Sequence, residues 1–500
     1  LESPGQRNLL GRAQPCEFEE IIANISLFRP GPVQADMIRP YLRRRHGLEP
    51  VTYLHPALEP ALGRTYGVII YQEQVLQVAA AIAGFSLGQG DMLRRAMTSD
   101  RSPREMEALR AQFVQGASDR GVDRYVADRI FDAIAGFAAY GFNKAHAACF
   151  GRISYQTAYL KAHYPAEFLA GILSAQPMGF YPPRTIAEEA KRLGVRMLPP
   201  CVNRSEGRFT VENMPLEGSE EGLEHASQTG RGRGSGLGIR YGLNFLYGMS
   251  AAAVSSILQA RTEGPFRSLR DFCRRTSVPR PMVENLILAQ GFAFTGKAPA
   301  ELMWSLATMP ADEVADRRGY HGTQALDFAE SECLGSLLPP LDLETAHGRV
   351  SLDLHLLGLS TGRHPFSFWR RELKQRGVIT SADIYRYRDG DRVRVAGIVV
   401  ARARPPTRSG KTAIFVSLED ETGLVDVACF EEAYQRYGRV IVASPVLLVE
   451  GRLVRQGALD ISVTIESVLP LGRWDEMATQ DAGTAVPMAE RAFASKNWGQ

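Results

Sequence analysis

Apolar positions recur at a helical period through the first two hundred residues. Phe18 to Ile25 reads as a short helix, and Val126, Ile130, Ile134 and Phe137 fall on one stripe of a longer one. Past a glycine-rich joint, Phe150, Ile153, Thr157 and Leu160 continue a helical stripe as far as Tyr164-Pro165, where proline restarts the chain as a new helix through Leu173. Ser102-Pro103-Arg104-Glu105 supplies an N-cap, a proline at the first helical position and a reciprocal acid, predicting a helix that runs to Gly121. Thr185 and Glu188 predict another capping box, with Gly194 ending its helix. Tyr66 to Leu76 starts like a buried strand or extended run and turns helical through Ala83, placing Gln72, Glu73 and Gln74 at the switch, where end-of-element side chains often face a cleft. Pro199-Pro200 closes the segment, so residues 1–200 read as one mainly helical domain.

The pattern then changes twice. Residues 201–296 hold two short strands, Arg208 to Val211 and Gly238 to Arg240, around a glycine-rich insertion of low apolar content at 217–236 that reads as disordered. They also hold a helix, a tight glycine turn at Gly248 and a second helix starting near Ser250. Backbone N–H groups exposed at such a turn suit a phosphate, although a plain helical hairpin has the same pattern. Residues 297–380 read as a linker containing Gln324-Ala325-Leu326-Asp327-Phe328, a peptide fit either to dock in a partner's groove or to be ordinary linker. Within 381–470, alternation at period two marks five strands: Arg392 to Val400, Ala413 to Glu419, Leu424 to Phe430, Val446 to Val454 and Asp460 to Val468. A short helix near Glu431 to Tyr437 separates the third from the fourth, an order that suits an OB-type barrel. Residues 471–500 are a polar tail.

Five hundred residues, 45% of them apolar, allow two to four domains with interiors of their own. No apolar run is long enough to span a membrane, and Leu1 does not begin a secretory signal or look like a natural start. Six scattered cysteines without a CxxC grouping argue against zinc and against a disulfide framework, which fits a reducing cytoplasm. A net charge of only +3 makes local clusters the argument for a polyanionic partner: Arg43 to His46, Arg231 with Arg233, and Arg402, Arg404, Arg408 and Lys411. Each cluster alone is more often a solvated face. Arg404, Arg408 and Lys411 fall between the first two barrel strands, with Phe415 and Phe430 near them, a mix of cations and rings that favours single-stranded nucleic acid; the rings read equally as core.

Three further stretches concentrate chemistry. Arg29 stands in Leu27-Phe28-Arg29-Pro30-Gly31-Pro32, held by a stiff turn, either for a ligand or as a cap on the preceding helix. Arg94 and Arg95 are adjacent on a helical stretch and diverge by about 100°, so at most one points squarely into a common pocket. Tyr140, Asn143, Lys144 and His146 crowd one turn of the glycine-rich joint.

Four segments, Leu27 to Pro32, Tyr66 to Gln74, Asp91 to Met97 and Tyr140-Gly141-Phe142-Asn143-Lys144-Ala145-His146, resemble in order the fingers signatures of bacterial C-family DNA polymerases, the polymerase III alpha subunit group. Ser-Ala-Gln-Pro-Met-Gly-Phe-Tyr at 174–181 is similar to the error-prone branch, whereas Asn143 to His146 and Tyr155 to Ala158 look more replicative; the preferred reading is error-prone. The resemblance implies a multidomain fold of helical fingers, helix-hairpin-helix domain and C-terminal OB barrel. It implies that Arg94, Arg95, Lys144 and Arg29 meet a deoxynucleoside triphosphate while Tyr140, Asn143 and His146 line the nascent base pair. Gly248 and Ser250 would hold primer-template backbone without reading sequence, joined by Arg404, Arg408 and Lys411. Gln324, Leu326 and Phe328 fall where the family carries its sliding-clamp peptide, with Asp327 at a usually apolar place. Family members hold two Mg²⁺ ions on three palm aspartates. No Asp precedes Asp36, so the expectation is a C-terminal portion that does no catalysis alone, in a cytoplasmic protein that meets translesion accessory proteins and no membrane. The alternatives are a fragment of the replicative alpha subunit and a non-catalytic nucleic-acid-binding module.

Overall fold

A computed structural model describes residues 3–28, 37–98, 103–138, 142–214, 236–310, 345–405, 410–456 and 460–471. Arg29, Tyr140, Arg231, Arg233, Gln324, Leu326, Phe328 and Arg408, nearly all of the 217–236 insertion and the tail after residue 471 lie outside the described residues. Contacts divide the chain into two compact units, the first Leu1–Ala158 with the short segments Pro405–Thr412 and Val454–Ser462, the second the remainder.

The first unit is helical. Its helices include Pro4–Ala13, Phe18–Leu27, Ile38–Arg45, Gln72–Ala83, Leu87–Thr98, Pro103–Ser118 and Arg124–Ala138, and the Lys144–His163 helix begins in it. One core gathers Val75, Val78, Ile82, Phe113, Ile130, Phe131 and Ile134, so the predicted Ile130 and Ile134 stripe is the buried face. Another joins Leu9, Ile22, Leu27, Tyr41, Ile70 and Ala147. Of the two readings of Tyr66 to Ile70, the strand is not formed: Tyr66 at φ 54° and Gly67 at φ 75° turn the backbone left-handed, and only Tyr71 pairs, in an isolated bridge to Phe142. The Pro103 helix ends at Ser118 rather than Gly121.

In the second unit, strands β1 (Arg196–Leu198), β2 (Thr210–Asn213) and β3 (Leu237–Arg240) form a small sheet, with β3 parallel to β1 and antiparallel to β2. It packs with the Pro165–Ser174, Ala251–Arg261, Leu269–Arg275 and Arg280–Leu288 helices around Leu173, Tyr241, Ile257, Phe272 and Phe292. Gly194, at φ 83°, terminates the Pro183–Arg192 helix as expected, with Val195 N–H returning to the Ala190 carbonyl. The predicted Thr185 and Glu188 box is not made. Pro182 and Pro183 start the helix first, so Thr185 lies already inside its first turn and both side chains are buried for another purpose. Ahead of Gly248 there is only a 3₁₀ turn, Leu243–Phe245, instead of a helix. The run is short, and the Tyr241 hydroxyl lies 2.8 Å from the Phe245 carbonyl, a group that a longer helix would have used internally.

The C-terminal sheet adds β4 (Val378–Ile379), β5 (Arg392–Ala403), β6 (Ala413–Glu419), β7 (Leu424–Phe430), β8 (Val446–Arg455) and β9 (Ile461–Pro470). The neighbour order β5-β6-β7-β9-β8, with β8 pairing back to β5, closes a five-stranded barrel, and β4 adds parallel to β5 outside it. A register shift between Val399 and Ala401 lets one long strand serve both neighbours, β8 with its first half and β6 with its second. Val416, Leu418, Val427, Val449 and Val463 are buried at alternate positions, the pattern that made these strands readable. At Gly451 a Cβ would stand 2.0 Å from the Thr464 carbonyl oxygen, so only glycine permits that approach.

Candidate nucleotide and nucleic-acid interface

The Lys144–His163 helix opens on side chains that the sequence had singled out. The Asn143 side-chain oxygen accepts the His146 N–H at 2.9 Å, capping the helix, and the Lys144 N–H donates to both Glu73 carboxylate oxygens at 3.0 Å. The Lys144 ammonium reaches Glu19 at 2.8 Å and stands 5.4 Å from the centre of the Tyr71 ring. Tyr71 is buried, and burial pushes its hydroxyl pKa well above the ordinary value, so it serves as a neutral platform. The His146 ring lies between Phe142 and Phe150, with centroids 5.3 and 4.7 Å away. Helix start, cation and rings are thus brought together at one turn.

Of the switch residues, Gln74 does not face a cleft. It is buried, its oxygen accepts the Ile70 and Tyr71 N–H groups, and its amide donates to the Ala61 carbonyl and the Thr65 hydroxyl. The extended run ahead of the helix lacks a strand partner, and Gln74 satisfies the backbone donors left over.

Arg94 and Arg95 converge rather than diverge, since both bind one carboxylate. Arg94 reaches Asp91 Oδ1 at 2.7 Å and Arg95 reaches Oδ2 at 2.8 Å, because positions three and four after Asp91 both overlie it. The Arg94 hydrogen bonds, foremost, hold the Asp91 carboxyl below its usual pKa. Arg95 remains 67% exposed and Arg94 28%, so both forks can reach solvent-borne anions.

Most of the Arg43 to His46 cluster is structural. Arg45 binds Glu20 and the Gln14 carbonyl, while Arg44 donates to the Tyr66 carbonyl. Burial pushes the Glu20 carboxyl up, but hydrogen bonds from Arg45, the Cys16 N–H and Tyr66 outweigh it and bring its pKa down to about 2.

In the second unit Gly248 has φ 76°, which a side chain would strain, and Ser250 is the N-cap of the Ala251–Arg261 helix, its hydroxyl accepting the Ala253 N–H at 3.2 Å. Ala251 and Ala252 are exposed on that first turn, as a phosphate at a helix N-terminus requires. On the barrel, Arg402 leaves the basic cluster: it donates to the Ile441 and Ser444 carbonyls and closes the end of the Glu431–Ala443 helix. Arg404 stacks 5.5 Å from the Tyr434 ring, Lys411 is exposed, and Phe430 is half exposed. β6 pairs Ala413 with Phe430 and Phe415 with Ala428, which puts the two phenylalanines diagonally on one face of the sheet. Tyr434 was the ring that sequence reasoning missed.

Among the described residues no three His, Cys, Asp or Glu side chains converge as a metal holder, so these residues do not fit a Mg²⁺ ion, which the family resemblance assigns to residues outside this chain. Nor is any helix among them long and apolar enough to cross a membrane.

A helical unit with partly exposed cations, a glycine turn leading into an exposed helix N-terminus, and an OB barrel with a cation on a ring define a nucleic-acid-handling protein. Residues 1–121 match the finger domain of the bacterial DNA polymerase III alpha subunit, 194–302 a helix-hairpin-helix motif, and 393–471 an OB-fold nucleic acid binding domain. The chain is 43% identical over 484 residues to the error-prone DNA polymerase of Symbiobacterium thermophilum, covering 93% of this chain and 44% of that protein. It is 37% identical over 477 residues to the error-prone DNA polymerase of Anaeromyxobacter dehalogenans strain 2CP-C, covering 94% of this chain and 39% of that protein. A third, from Methylococcus capsulatus, is 35% identical over 474 residues, with 95% and 44% covered. The chain is therefore similar to bacterial C-family DNA polymerases, on the side of proteins named error-prone, and it spans less than half the length of these relatives.

Proposed function

We propose that this chain is the nucleotide- and DNA-holding part of an error-prone C-family DNA polymerase, acting in repair or translesion synthesis. The carrying observation is two sets of partly exposed cations in the helical unit, Arg94 and Arg95 on Asp91, and Lys144 on Glu19 at a capped helix start. In this reading the incoming triphosphate displaces the carboxylates. Arginine forks match phosphate oxygens in pairs, and a helix N-terminus adds partial positive charge. Asn143 and His146 border the nascent base pair, with Arg29 and Tyr140 assigned to the same pocket. Primer-template backbone is held at Gly248 and Ser250 and along Arg404, Arg408 and Lys411. The domain division at residues 200, 296 and 380, the clamp peptide Gln324 to Phe328, the translesion accessory partners and the cytoplasmic location belong to the same proposal, as does the assignment of Mg²⁺ to carboxylates outside these 500 residues.

The test is primer extension by an upstream-extended, polymerising form carrying Arg94→Ala. The expected result is a fall of about 100-fold in kcat/KM for the nucleotide, the usual scale for losing one preorganised charge donor. An unchanged value overturns the assignment. One observation favours a second reading, a binding module without nucleotide chemistry: in this structure all three cations already have carboxylate partners. That reading predicts normal DNA binding with no response to nucleotide in any form of the protein.

A further inference from the structure

Two helices of the first unit, Pro4–Ala13 and Ile38–Arg45, end beside each other and border a cleft of about 330 Å³ that none of the groups above occupies. Arg12, Arg39, Arg43 and His46 line it together with Leu42 and Leu48, and no carboxylate is among its lining residues.

The walls are braced. The His46 ring nitrogen meets the Arg12 carbonyl at 2.8 Å, and Arg45 donates to the Gln14 carbonyl at 2.7 Å while gripping Glu20. Helix C-termini carry partial negative charge that would repel an anion, but here these contacts satisfy carbonyls at the end of the first helix, and the N–H groups of His46, Gly47 and Leu48 satisfy the Leu42, Arg44 and Arg43 carbonyls of the second. Arg39 and Arg43 stand four apart on one helix face, where like charges repel. Only Arg43 has a carboxylate, Glu49 at 3.3 Å in an exposed pair, whereas the guanidinium groups of Arg12 and Arg39 have no partner among the described residues. Three arginines held at one braced cleft, two of them without a counter-charge, form a site that an anion completes. No Phe, Tyr or Trp ring lines the cleft, and its one imidazole, His46, is held against the Arg12 carbonyl, so recognition there is of phosphate rather than of bases.

We infer that the Arg12, Arg39 and Arg43 cleft is a phosphate-binding subsite for a polynucleotide backbone, separate from the Arg94 and Lys144 cations and from the Gly248 turn. It grips the strand without regard to sequence. The inference rests on the DNA-binding reading above and adds a contact to it.

Binding of a fluorescent primed duplex by the 500-residue chain, measured over a salt series, tests it with Arg12→Gln/Arg39→Gln against the unaltered chain. Arg386→Gln is the control, since that side chain is 82% exposed and pairs only with nearby Asp383. Two lost phosphate contacts make the slope of log K against log salt shallower by about 1 to 2 and weaken binding about 10-fold near 0.1 M salt. Unchanged melting of the double variant shows that it folds. Slopes that coincide for the unaltered and double-variant chains overturn the inference. Titration with pyrophosphate separates the two sources of phosphate: binding of pyrophosphate lost in the double variant, with DNA binding intact, also overturns the polynucleotide assignment. If the unaltered chain binds no DNA, the underlying reading fails together with the inference.

Discussion

Two sets of charged residues contrast within this protein. In the second unit, Glu419 is wholly buried at the end of β6, accepting the Thr185 hydroxyl at 2.7 Å with Arg192 at 3.6 Å, while Arg184 donates to the Val399 carbonyl. Close by, Arg370 grips Asp420 and Glu421, and Asp420 accepts the Ser381 N–H. In the first unit, Asp91 with Arg94 and Arg95, and Glu19 with Lys144, remain partly exposed. Both sets are carboxylates facing cations, yet the surroundings give them opposite roles. Desolvated charges must stay paired and so fix how the barrel packs on the Pro183–Arg192 helix, whereas hydrated charges exchange partners and stay available to a ligand.

The contrast breaks most sharply at Glu419. Glu419→Ala leaves Arg192 and Arg184 facing a buried gap and is expected to destabilise the second unit by about 3 kcal/mol. Asp91→Ala is expected to leave the melting temperature where it was. Thermal denaturation of the two variants side by side decides it, and equal shifts would remove the distinction.

His364 sharpens the same contrast through pH. Burial, then the nearby cations Lys191, Arg192, Arg184 and Arg370, lower its pKa to about 3, and its Nδ1 accepts the Phe366 N–H. The unfolded chain binds a proton near pH 6.5 that the folded chain refuses until about pH 3, so stability is fully present above the former and is lost as pH falls toward the latter. The slope is at most about 1.4 kcal/mol per pH unit. Burial raises the Glu419 and Glu188 carboxyls and so gives an opposing slope, which makes the difference from His364→Asn the informative quantity. Asn keeps an acceptor for Phe366 N–H but cannot titrate. Urea unfolding at pH 7 and pH 5 should show the variant losing less stability than the unaltered protein; identical losses would mean that His364 is not held neutral.

What the sequence made legible follows the same line. Barrel strands were readable because apolar side chains recur at every second position, Ile414, Val416 and Leu418 in β6 and Val425 and Val427 in β7, and both strands lie where that spacing placed them. Glu419 was not, because its position alternates onto the outer face of β6 and its burial depends on a helix more than two hundred residues earlier. Thr185 and Glu188 carried a capping pattern that two prolines overrode. Gln74 looked like a cleft residue, but its task is set by unpaired backbone of the preceding run, which no local pattern announces. At the candidate site, Asp91 carried a local signal, since spacings of three and four from Arg94 and Arg95 point to it. Glu19 and Glu73 reach Lys144 only through tertiary packing and left no signal.

The smallest expected effect tests the exposed half of the comparison. Glu19→Gln removes the partner of the Lys144 ammonium but leaves its N–H on Glu73 and its place near the Tyr71 ring. A pair with both side chains about a third exposed contributes roughly 0.2–1 kcal/mol, so stability should change by no more than that. If Lys144 meets the triphosphate, the nucleotide no longer has to displace a carboxylate and binds about 1.4- to 5-fold more tightly, the same interval expressed as affinity. Lys144→Met should weaken nucleotide binding instead. A loss of stability well above that range in Glu19→Gln would place Glu19 and Lys144 with the buried set, and unchanged nucleotide affinity in both variants would remove Lys144 from the site, because a freed ammonium beside a triphosphate cannot be without effect on its binding.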